Sequence, residues 1–125
     1  MDIKAEAYKY IKENEGTSYV KLEYLFTRLG FEWQGDLEIY SDVCDNVIFW
    51  TGWNKEAIEL INDLQREGLI SKVPGQAFIY YIDGKTLNLP VVKTFKEYKT
   101  PHWLPVLFTA NKNPKRKVKQ EVNQV

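Results

Sequence analysis

The chain has 125 residues, 44% hydrophobic and 14% aromatic, a composition that suits one domain with a real core and excludes a disordered chain. No apolar run approaches the ~20 residues that span a bilayer, and the opening Met1-Asp2-Ile3-Lys4-Ala5-Glu6 has neither the basic nor the apolar region of a signal peptide. Its formal net charge of zero is a cancellation: residues 1–83 hold eight Lys/Arg against fifteen Asp/Glu, a balance of −7, and residues 84–125 hold nine against two, a balance of +7. Cys44 is the single cysteine, so no internal disulfide can form and a reducing, cytoplasmic setting without membrane contact is expected.

Ile3, Ala7, Tyr10 and Ile11 recur at helical spacing and predict a first helix over residues 2–15, stopped by Gly16. Ser18 is placed to cap a second helix from Tyr19 to about Leu29, with Leu22, Leu25, Phe26 and Leu29 as its apolar stripe and Gly30 as its end. The runs Leu37-Glu38-Ile39-Tyr40 and Asn46-Val47-Ile48-Phe49-Trp50, with turn residues between them, predict a hairpin. That hairpin lies where a helix-turn-helix normally has a tight turn, which weakens any expectation of standard DNA docking. Asn54 then caps a third helix whose buried stripe is Ala57, Ile61 and Leu64, with Trp53 and Ile58 at the staple positions and Gly68 at its C-terminal side.

After that helix, Leu69–Val73 and Ala77–Ile82 are expected to pair as strands across Val73-Pro74-Gly75-Gln76, whose Pro and Gly suit a type II turn. Helices closed by such a hairpin point to an α+β winged helix-turn-helix, with an insertion between helices 2 and 3. Asp83-Gly84 predicts a further turn, and Pro90 can open a short helix to Lys99. Thr100 to Phe108, interrupted by Pro101 and Pro105, is expected to lie on the domain as an extended arm. The domain is thus placed at residues 1–110, with 111–125 as a basic tail expected to be disordered.

Enzymatic chemistry finds few candidates. His102 is the only histidine, no glycine-rich phosphate loop is present, and Glu38, Asp42 and Asp45 suit a polar hairpin tip better than a cation site. A non-enzyme without metal or cofactor is expected. The third helix, where a DNA reader would meet base edges, offers Lys55, Asn62 and Arg66 but also the acidic stripe Glu56, Glu59, Asp63 and Glu67, which phosphates would repel. Nucleic-acid contact falls instead to the wing (Lys72, Gln76, Lys85) and to the basic segment (Lys93, Lys96, Lys99, Lys112, Lys115, Arg116, Lys117, Lys119). Lysines interleaved with Tyr80, Tyr81, Tyr98 and Trp103 can hold a single strand by stacking, although aromatics in a small domain are more often core. The basic segment can equally serve to neutralise the acidic body or to solubilise.

The segments IKAEAYKYIKENEG, NVIFWTGWNKEAIELINDLQ and YYIDGKTLNLPVVK, followed by YKTPHWLP, resemble small proteins of staphylococcal pathogenicity islands and related phages. Such proteins lie near primase and helicase genes, and the resemblance implies a role in replication of the element or its control. It covers roughly residues 3–108 and carries over no site residue. Two functions compete: an accessory factor binding single-stranded or forked DNA, and an interaction module or inhibitor whose acidic third helix docks on a basic partner. That partner would be a polymerase, primase or helicase, or a host or phage factor. A transcriptional repressor is third.

Overall fold

The computed structural model describes residues 1–112. The first three helices follow their local signals closely. Helix α1, Ile3–Glu13, starts where the Asp2 side chain accepts from the Ala5 N–H at 3.0 Å, and it buries Ala7 and Ile11. Helix α2, Tyr19–Arg28, is capped by Ser18 and buries Leu22, Leu25 and Phe26. Strands β1, Gln34–Tyr40, and β2, Val47–Trp53, form the antiparallel hairpin, with Glu38 opposite Thr51 and Ile39 opposite Trp50.

Helix α3, Lys55–Arg66, begins at Asn54, whose Oδ1 accepts from the Ala57 N–H at 2.8 Å. It closes with paired bonds: the Gly68 N–H donates to Gln65 O at 3.0 Å and the Leu69 N–H to Leu64 O at 3.0 Å. This Schellman pattern needs a left-handed residue, and Gly68 supplies it at φ 74. The resulting fold is α+β, with four helices and the hairpin inserted between α2 and α3.

The chain then departs from the expected hairpin. Strand β3, Ile70–Pro74, forms, but residues Ala77–Asp83 are helix α4 rather than its partner strand. The Asp83-Gly84 turn is the C-terminal cap of that helix, with Gly84 at φ 111 and its N–H donating to Tyr80 O at 2.9 Å. In place of Ala77–Ile82, β3 pairs antiparallel with β5, Val106–Ala110, from Ile70 opposite Ala110 to Pro74 opposite Val106. Packing decides between the two apolar runs. On β5 the buried residues Val106 and Phe108 alternate with partly exposed ones, whereas only Tyr80 of the 77–83 run is buried. β5 also meets the loop before α2: Thr17 and Phe108 exchange backbone bonds at 3.0 and 2.8 Å.

The helix expected from Pro90 to Lys99 is likewise absent. Its first turn is spent on Trp103: the Trp103 N–H donates to Pro90 O, and the Val92 N–H to Trp103 O, both at 2.8 Å. Farther on, the Tyr98 N–H donates to Asp45 O at 3.1 Å, and Asn46 Nδ2 donates to Tyr98 O at 2.7 Å. These contacts tie the segment to the hairpin tip. The extended arm does lie on the domain, as β4, His102–Trp103, parallel to β2, and as β5. Pro101 and Pro105 bracket β4, which keeps it to two residues because proline cannot donate to a ladder.

The largest fully buried side chains are aromatic. Tyr19 stands edge-on to Trp53 at 5.3 Å and to Phe108 at 5.0 Å, while Tyr80 stands edge-on to Trp103 at 5.2 Å between ring centroids. The Tyr80 hydroxyl donates to Val106 O at 2.6 Å and accepts from the Tyr19 N–H at 3.1 Å, joining α4, β5 and α2. No helix among the described residues is long and apolar enough to cross a membrane.

Candidate nucleic-acid interface

Segment 90–105 is tied to both sheets, its β4 pairing with β2 and its Pro105 O accepting from the Gly75 N–H just after β3 at 2.9 Å, and the sequence-predicted lysines fall into two different groups. Lys93, Lys96 and Lys99 are exposed along this segment. Lys93 and Lys96 line a cleft of about 470 Å3 together with Thr94, Tyr98 and His102. The Tyr98 and His102 rings are stacked, 3.9 Å between centroids and 20° between planes, and Lys96 Nζ lies 5.4 Å from the Tyr98 ring centroid. His102 Nδ1 is 2.8 Å from Thr100 O. A carbonyl can only accept, so Nδ1 carries the hydrogen and Nε2 is left with its lone pair in the neutral ring. Among the described residues, no Asp or Glu lines this cleft.

Lys72 and Lys85 sit elsewhere. Lys72 is on β3, half-buried, with Nζ 3.8 Å from the Phe49 ring centroid; burial holds its ammonium below the usual lysine range, partly offset by the charge of Asp42. It lines a second cleft of about 510 Å3, which shares Val91 and Lys93 with the first. Lys85 is exposed but tied to the domain, donating to Glu23 Oε1 at 2.5 Å and lying 5.0 Å from the Trp33 ring centroid. Gln76, expected on a wing turn, is the exposed residue before α4. Lys112 is exposed; Lys115, Arg116, Lys117 and Lys119 lie outside the described residues. Asn111, placed in the tail by the sequence, is attached to the domain: its N–H donates to Leu69 O at 2.9 Å and its Nδ2 to Gly68 O at 2.7 Å.

The acidic stripe of α3 faces outward at Glu56, Glu59 and Glu67, but most of it has partners within the domain. Glu67 is bonded to Lys4 of α1, Asp63 to Arg66, and Glu59 lies 3.9 Å from Lys55. Among the described residues, no three His, Cys, Asp or Glu side chains gather where they could hold a metal ion.

Sequence inspection overlooked one polar centre. Glu23 is 3% exposed; its Oε2 accepts from the indole N–H groups of Trp50 and Trp53 at 2.8 and 2.9 Å, and its Oε1 accepts from Lys85. A carboxylate taken into a core needs this degree of satisfaction. The available signal was an acid on the apolar face of α2, between Leu22 and Phe26, in a chain with tryptophans to spare. Glu23 fastens α2 to β2 and to the segment after α4, and so holds the floor beneath the arm. Comparison with family models, curated proteins and solved structures finds no match.

Proposed function

We propose that this chain is a non-enzymatic accessory factor for replication of a mobile genetic element, a winged-helix variant that holds single-stranded or forked DNA against segment 90–105. The element context comes from the resemblance of its sequence segments to pathogenicity-island proteins. The fold assignment draws support from three helices in order, followed by strands laid side by side as Thr17, β5, β3. In that arrangement residues 75–105 replace the short turn of an ordinary wing.

The observation that carries the function is the cleft in which Lys93, Lys96 and His102 meet the stacked Tyr98 ring with no acidic neighbour in its lining among the described residues. Cations beside an aromatic face suit a phosphate backbone with bases stacked against rings. Major-groove reading by α3 has no comparable support, since Glu56 and Glu59 remain exposed on it. Docking of that acidic helix on a basic partner, the competing interaction role, would compete with the ion pairs that Glu59, Asp63 and Glu67 make within the domain, and charge reversal at Glu59 and Asp63 followed by pull-down tests it.

The deciding measurement is fluorescence anisotropy of a labelled oligo-dT at low salt. Replacing Lys93, Lys96 and Lys99 together by Gln is expected to weaken binding about ten-fold or more. It should also flatten the dependence of log K on log salt by about two, at ~0.7 per phosphate contact in single strands. Absence of binding by the full chain at ~50 mM salt overturns the proposal.

A further inference from the structure

The cleft beside β3 is unlike its neighbour. It spans about 510 Å3 between Phe49, Phe95, Leu104 and Val106, and among the described residues its only charged lining side chains are Lys72 and Lys93. A volume of this size accommodates a large apolar group. At its rim Phe95 is 52% and Val91 41% exposed, so apolar surface is left facing water. Lys72 is the anomaly. Half-buried, it has the Phe49 ring beneath its ammonium, feels the charge of Asp42 only from beyond salt-bridge distance, and has no carboxylate within that distance among the described residues. An aromatic face offsets only part of what a partly desolvated cation loses, and an anion at the cleft mouth would supply the rest.

We propose that this cleft is a docking site for an acidic peptide segment of a partner protein that carries one large apolar side chain. The side chain enters between Phe49, Phe95 and Leu104, and flanking carboxylates meet Lys72 and Lys93. Positive charge continues past Lys93 to Lys96 in the adjoining cleft, a row longer than a single small carboxylate can use. A nucleobase is a poorer occupant, because its polar edges would face aliphatic walls and remain unpaired. The docking does not depend on DNA binding and shares only Lys93 with the residues altered to test it.

The test uses the full chain and a fluorescein-labelled peptide of four Asp followed by one Phe. Saturable binding is expected, weakened about ten-fold or more when the peptide's Phe is replaced by Ala, as for a central anchor. Lys72→Gln and Phe49→Leu, both at incompletely buried positions outside segment 90–105, should each weaken it about five-fold or more while oligo-dT binding stays within about two-fold. No peptide binding, or binding indifferent to the Phe or to both variants, overturns the proposal. Parallel loss of oligo-dT binding in both variants would assign the cleft to nucleic acid. Lys72-dependent binding of decanoate without peptide binding would assign it to small amphipathic anions; either result overturns peptide docking.

Discussion

Glu23 joins residues distant in sequence through three charge-assisted hydrogen bonds, and its removal leaves two indole N–H groups buried without an acceptor. Glu23→Leu is therefore expected to cost roughly 3–5 kcal/mol, and Glu23→Gln, which keeps an acceptor, roughly 1–3 kcal/mol. Urea unfolding followed by tryptophan fluorescence measures both. Tyr80 offers a pH test. Burial lifts the Tyr80 and Tyr19 hydroxyls above the usual phenol value of 10.0. The unfolded chain thus releases these protons first, so the stability they provide is whole below pH ~10 and is lost as pH rises beyond it. Tyr80→Phe should cost about 1–3 kcal/mol at neutral pH through the lost bonds to Val106 and Tyr19. Above pH ~10 its stability should fall less steeply than that of the parent chain.

Among the elements, those with local signatures were legible in the sequence. Ser18 and Asn54 cap their helices as expected, and Gly68 closes α3, whereas Asp2, expected as the first helical residue, is the cap of α1. Gly68→Ala is expected to cost about 1 kcal/mol, since alanine resists that positive φ. Gly35→Ala should cost more, roughly 2–3 kcal/mol, because an added Cβ would stand 2.7 Å from the Asn54 backbone at the start of α3. Thermal unfolding of the two variants checks the order. The partner of β3 was not legible. Residues 77–82 and 106–110 are both apolar and β-permissive, and a pairing between strands far apart in sequence leaves no local mark. The arm announced itself only through its prolines, which forbid a helix without naming a neighbour. At the candidate site, the run Lys93, Lys96, Lys99 could be found by inspection, whereas the burial of Lys72 and the capture of Lys85 by Glu23 depend on contacts across the fold.

For the whole molecule, the division of charge sets the expected behaviour with salt. A chain ending at Lys112 keeps every described element and loses Lys115, Arg116, Lys117 and Lys119. Its unfolding temperature should stay within a few degrees of the parent, because no described contact is removed. Its oligo-dT affinity should become less salt-dependent, by up to about 0.7 in log–log slope for each lost lysine or arginine that contacts phosphate. An unchanged slope would confine DNA contact to segment 90–105.

The pairing of β3 with β5 also bears on the order of folding. α1, α2, α3 and the hairpin precede β5 in the chain, yet Thr17 and β3 both find their partner there. Until residues 106–110 have been synthesised, a nascent chain carries an unpaired β3 edge and lacks the acceptor for the Tyr80 hydroxyl. Such an edge invites pairing with other chains. β5 thus acts as the clasp of the fold, and a chain ending near residue 104 should aggregate or be proteolysed rather than persist as a smaller domain.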